Sequence, residues 1–78
     1  MKEYEGSFEG YKAINCQQAM MSLNNSNNSN IIVAKLDRKQ EGGNKSDCYI
    51  ISSMKELQEA MLMKQRGLAY KGLTFYAK

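Results

Sequence analysis

The chain has no histidine and no proline, and its only cysteines are Cys16 and Cys48. Histidine is the side chain best suited to proton transfer near neutral pH, so its absence argues against general acid–base catalysis. It also leaves two widely separated cysteines, too few for a closed four-ligand zinc site. The apolar run Ile31-Ile32-Val33-Ala34 falls far short of a membrane span. Lys2, Glu3, Glu5 and Glu9 interrupt the start, so no secretory leader is expected. A reducing, cytoplasmic setting follows as the expectation, with both thiols free. Lack of proline leaves no proline-rich linker to split the chain and nothing to break a helical run.

Other routes to chemistry are equally thin. Glu56 and Glu59 lie close on one predicted helix, but Glu56 is accounted for as a cap and Glu59 can meet Lys55 four residues back. Cys16 falls on an apolar stripe and Cys48 begins a strand, so packing explains both better than nucleophilic chemistry. Gly42-Gly43-Asn44 lacks the strand-to-helix setting and the following Lys-Ser/Thr of a phosphate loop. Neither an enzyme, nor a cofactor, nor a metal is expected.

What is present fits a small folded domain. Its 78 residues are 42% hydrophobic and 24% charged, too apolar for disorder and enough for a single domain over 1–78. Net charge is +3, unevenly placed: residues 1–30 carry −1 and residues 31–78 carry +4. Such an excess suits an acidic partner or a phosphate backbone without requiring one.

Periodicity sets the expected elements. Tyr4, Gly6 and Phe8 alternate with polar neighbours over residues 3–9, a weak strand signal. Ala13, Ile14, Cys16, Met20, Met21 and Leu23 fall on one side of a helix expected from Tyr11 to Leu23. An asparagine- and serine-rich connector, 24–30, follows. Residues 31–38 and 47–52 read as strands joined through a turn at Gly42-Gly43-Asn44, with Ile31 and Val33 on a second covered face. Ser53 and Glu56 have capping-box spacing ahead of Met54, Leu57, Ala60 and Met61, and Gly67 supplies a stop, predicting a helix over 54–66. Residues 68–78 alternate as a last strand.

The expected fold is α+β, a small two-layer sandwich with two helices on one face of an antiparallel sheet. Its order is β-α-β-β-α-β (ferredoxin-like), or α-β-β-α-β if the first strand is not real. Three strands alone would leave edges that favour a homodimer or a partner adding to the sheet.

Tyrosines supply the surface signal. Tyr70 and Tyr76 are expected on one strand face, with Tyr49 in the same sheet and Lys35, Arg38 and Lys71 nearby. Met20, Met21, Met54 and Met61 fall on core stripes, while Met63 points away and forms a further candidate contact beside Tyr70. Tyrosine is enriched at protein interfaces, so a non-enzymatic adaptor or inhibitor docking on a larger protein partner is the first reading. Short, plain chains of this kind recur among phage, viral and mobile-element accessory proteins. The alternative is a single-stranded RNA or DNA binder that stacks bases on Tyr49, Tyr70 and Tyr76 and holds phosphates with Lys35, Arg38 and Lys71.

Overall fold

The computed structural model describes residues 1–24, 31–39, 45–66 and 69–78. Along them run β1 (Lys2–Glu3), β2 (Lys12–Ile14), α1 (Cys16–Asn24), β3 (Ile32–Arg38), β4 (Ser46–Ile51), α2 (Met54–Gln65) and β5 (Tyr70–Ala77). The strands form one sheet in the order β1-β4-β3-β5-β2, with every neighbouring pair antiparallel. The turn at Gly42-Gly43-Asn44, the stop at Gly67 and residues 25–30 of the connector lie outside the described residues.

β3 is the centre of the structure, laddered to β4 on one side and β5 on the other. Its hydrophobic density explains that position, because Ile32, Val33, Ala34 and Leu36 are all fully buried and a strand covered on both faces reads as a nearly continuous apolar run. Ile31, expected to share that cover, lies just outside the ladder and is exposed. β2 and β3 are both antiparallel to β5, which lies between them; β4 and β5 are related in the same way across β3. Each helix therefore connects two parallel strands separated by a third. The β-α-β-β-α-β order is thus present, preceded by the two-residue β1. A ferredoxin-like arrangement would put the first strand of that series near the sheet centre, whereas here β2 lies at an edge and β3 and β5 are innermost.

Both helices pack on one face of the sheet, where Ala19, Leu57 and Ala60 meet Ile32, Ala34, Ile51 and Phe75. α2 begins as its sequence predicts: the Glu56 backbone N–H donates to the Ser53 Oγ at 3.3 Å. The Glu56 carboxylate accepts chiefly from the Ser52 hydroxyl, which holds its pKa below the ordinary value. α1 starts later than its periodicity predicts. Ala13 and Ile14 belong to β2, and the helix opens at Cys16 behind a reciprocal cap. There the Gln18 N–H donates to the Asn15 Oδ1 at 2.7 Å, and the Asn15 N–H donates to the Gln18 Oε1 at 3.0 Å. Such a cap satisfies two backbone donors that the first helical turn would otherwise leave unpaired.

The methionine stripe is not the core. Met20, Met21 and Met61 are 37%, 65% and 40% exposed. Alanines occupy the closest contact points of both helices, so the sheet is met by Ala19 and Ala60 while the longer methionines overhang at the sides. The expected strand over 3–9 is also absent. Only Lys2 and Glu3 pair, with Ile50 and Tyr49; the Tyr4 N–H still donates to the Cys48 carbonyl at 2.9 Å, and residues 5–11 leave the ladder.

Candidate interaction surface

The face of the sheet turned away from the helices consists of three rows set by register. Ile50, Val33 and Tyr76 form the first; Cys48, Lys35 and Thr74 the second; Ser46, Asp37 and Gly72 the third. The first row is apolar and the other two are largely polar. The chain treats them differently.

β1 lies on one edge of the sheet and β2 on the other. Residues 4–11 must therefore cross this second face to connect them, and they do so over the apolar row. Phe8 sits on Tyr76 with ring centroids 4.7 Å apart, and Tyr4, Phe8 and Tyr11 contact one another at 5.6–5.9 Å. This roof accounts for the complete burial of Val33 on a face that no helix covers. Local bonds give the strap its shape. The Tyr4 hydroxyl donates to the Ser7 carbonyl at 2.5 Å, the Glu9 N–H to the Ser7 Oγ at 3.0 Å, and the Tyr11 N–H to the Phe8 carbonyl at 3.0 Å. Gly10, with φ of 81°, occupies the left-handed position of that last turn, a conformation costly for other residues. Gly6 lies under the Tyr4 ring, where an added Cβ would come within 2.5 Å of the phenol oxygen.

The start of the strap, Tyr4 and Glu5, borders Cys48 and Ser46, but its aromatic cluster lies over the first row, against Tyr76. Lys35, Asp37 and Ser46 of the second and third rows, with Arg38, Lys45 and Lys71, line a polar depression of about 270 Å³. The Ser46 hydroxyl donates to the Asp37 Oδ1 at 2.7 Å, tying up the single carboxylate. Arg38 is occupied as well, through a two-pronged pair with Asp47 at 2.9 and 3.0 Å. Asp47 also accepts from the Tyr70 hydroxyl at 2.6 Å. Arg38 and then Tyr70 hold the Asp47 carboxyl below its usual range, while Asp47 pushes the Tyr70 phenol up to about 12. Asp47 is the hub of a three-residue network. No carboxylate among the described residues forms an ion pair with Lys35, Lys45 or Lys71.

The seven sequence-derived contact residues do not form one surface. Lys35, Arg38 and Lys71 converge on the depression. Tyr76 shares the face of Lys35 but lies beneath Phe8, whereas Arg38 reaches the depression from the other side of β3. Tyr49 pairs with Ala34 and so faces the helices. Tyr70 was expected on the same face as Tyr76, but a register shift between Asp37 and Arg38 pairs it with Arg38 and moves it to the opposite side. Met63, half-buried on α2, belongs to the helical layer. Sequence reasoning missed Lys45, Ser46 and Asp37 as co-liners, and the strap itself, for which the spaced aromatics Tyr4, Phe8 and Tyr11 were the available signal.

At the β1 edge the charge reverses. Glu3, Tyr4, Glu5, Ser46, Asp47 and Cys48 line a smaller depression of about 170 Å³. Cys48 and Cys16 are both free thiols; burial pushes the Cys48 thiol up, away from thiolate character. Among the described residues, no histidine, cysteine or carboxylate groups gather as a metal site, and no helix is long and apolar enough to cross a membrane. Comparison with known protein families, curated proteins and solved structures finds no match.

Proposed function

We propose that this chain is a non-enzymatic binding protein, an adaptor or inhibitor that docks on a larger protein partner through the bare, cationic end of the second sheet face. One observation carries the reading: three lysines, none in an ion pair with a carboxylate of the described residues, surround one depression at the end of the face beyond the aromatic strap. Cations outnumber the one carboxylate, Asp37, around this depression; like charges held together repel at a cost to the folded chain, and an anionic partner group relieves that cost. The nucleic-acid alternative loses its main support, because stacking needs accessible rings on one face. Here Tyr76 is capped and Tyr49 and Tyr70 face the other way.

The test is capture from the native host with the wild-type chain and with the Lys35→Glu/Lys71→Glu double variant. A defined protein partner retained by the first and lost by the second is the expected result. Capture indifferent to the lysines defeats the reading, as does a single-stranded oligonucleotide that binds the wild type tightly and competes with the partner.

A further inference from the structure

β2 covers only the last part of β5: Lys12, Ala13 and Ile14 pair with Ala77, Tyr76 and Phe75. β5 itself begins at Tyr70. No strand of the described chain pairs with Tyr70–Thr74 on that side, so alternate backbone N–H and C=O groups face outward along the segment. Five residues at about 3.3 Å each give roughly 16 Å of unpaired edge, long enough for one added strand. Lys71 lies within it, at the register shift, and lines the same depression as Lys35 and Lys45. Gly72 and Thr74, the small residues between Lys35 and this edge, leave the lysines room to reach across it.

We propose that the partner contributes an extended acidic segment that adds to the sheet as a further strand along Tyr70–Thr74, with its carboxylates turned toward Lys35, Lys45 and Lys71. This rests on the docking reading above and specifies its ligand. Main-chain pairing supplies affinity that does not depend on sequence, and the lysine cluster selects for charge. Electrostatics also choose the occupant and the edge. A second copy pairing edge to edge would bring Lys71 close to its own counterpart, which disfavours self-association. The opposite edge, beside β4, is rimmed by Glu3 and Glu5 and repels an acidic strand.

The probe is a fluorescent peptide of about ten residues alternating threonine and glutamate, enough to overspan the free edge. It is compared with the same peptide N-methylated at alternate backbone nitrogens, with a threonine–lysine analogue and with inorganic phosphate. Binding is read by anisotropy, and its location by amide exchange of the full chain. The acidic peptide should bind and protect amides within Tyr70–Thr74, and the lysine analogue should not. N-methylation should weaken binding at least about tenfold through lost backbone hydrogen bonds, and Lys35→Glu/Lys71→Glu should do the same with the circular dichroism unchanged. Equal binding of the N-methylated peptide, protection along β4 instead, or phosphate displacing the peptide at equal concentration overturns strand addition while leaving the cationic docking surface standing. No binding by any acidic probe, or binding untouched by the charge reversals, overturns both.

Discussion

The two ends of the second sheet face use the same three strands and the same backbone geometry, yet one is roofed and the other is bare. At the roofed end Ile50, Val33 and Tyr76 lie side by side, and the strap brings Phe8 down upon them. At the other end Lys35, Asp37, Ser46 and Gly72 offer nothing apolar to cover, and Lys45 and Lys71 join them around a depression. Cover follows apolar area, because only burial of such surface offsets the entropy of ordering an eight-residue strap. What lies outside the aromatic roof is polar, and its excess of one charge is the feature on which the proposed docking rests.

The strongest way to break the contrast is to put a charge under the roof. Val33→Asp buries a carboxylate directly between Ile50 and Tyr76 and should cost more than about 3 kcal/mol, enough to abolish the cooperative thermal transition of so small a chain. Next comes removal of the roof. Phe8→Ala should cost about 2 kcal/mol for a half-buried ring and should make the Tyr76 ring accessible to a solvent quencher. If Tyr76 emission is quenched equally in wild type and variant, the strap does not cover this face. Gly6→Ala probes the strap without touching the sheet: the Tyr4 ring must move, and a loss of about 1 kcal/mol is expected, read from the denaturation midpoint.

At the margin between the two faces, Asp47→Asn sharpens the comparison by loosening the Arg38–Asp47–Tyr70 network. A loss of about 1 kcal/mol is expected from hydrogen bonds that are partly exposed. The Tyr70 phenol should fall back from about 12 toward its ordinary value of 10.0, visible in a tyrosinate absorbance titration. The signs of the pH dependence follow. Asp47 has a lowered folded pKa, so its contribution is present above the ordinary carboxylate range and is lost as pH falls through the folded value. Tyr70 has a raised one, so its contribution is complete below about 10 and is lost as pH rises through about 12. Smallest of all, Lys35→Glu/Lys71→Glu should change stability by no more than about 0.5 kcal/mol while abolishing the proposed binding of an anionic partner.

Local signals in the sequence were legible wherever one residue's neighbours decide its state. Ser53 and Glu56 announced α2, and the apolar run from Ile32 announced β3, because caps and strand alternation act over a few residues. The start of α1 was equally legible in Asn15 and Gln18, which have the same reciprocal spacing, but the apolar side chains of Ala13 and Ile14 extended the helical pattern falsely. Alternation of Tyr4, Gly6 and Phe8 looked like a strand and came from a different cause: Tyr4 and Phe8 meet each other and Gly6 makes room for the Tyr4 ring. The tyrosine face failed for a long-range reason. A one-residue shift where β5 passes Arg38 reverses the side on which Tyr70 emerges.

By itself the order of residues determined the class of the fold, two helices with strands between and after them and an apolar β3, since periodicity and caps act between residues close in the chain. Which strands stand side by side, where the first ten or so residues cross, and that Lys35, Lys45 and Lys71 meet around one depression were decided only by the tertiary structure. Those relations join residues far apart in sequence, and no local preference specifies them before the sheet has closed.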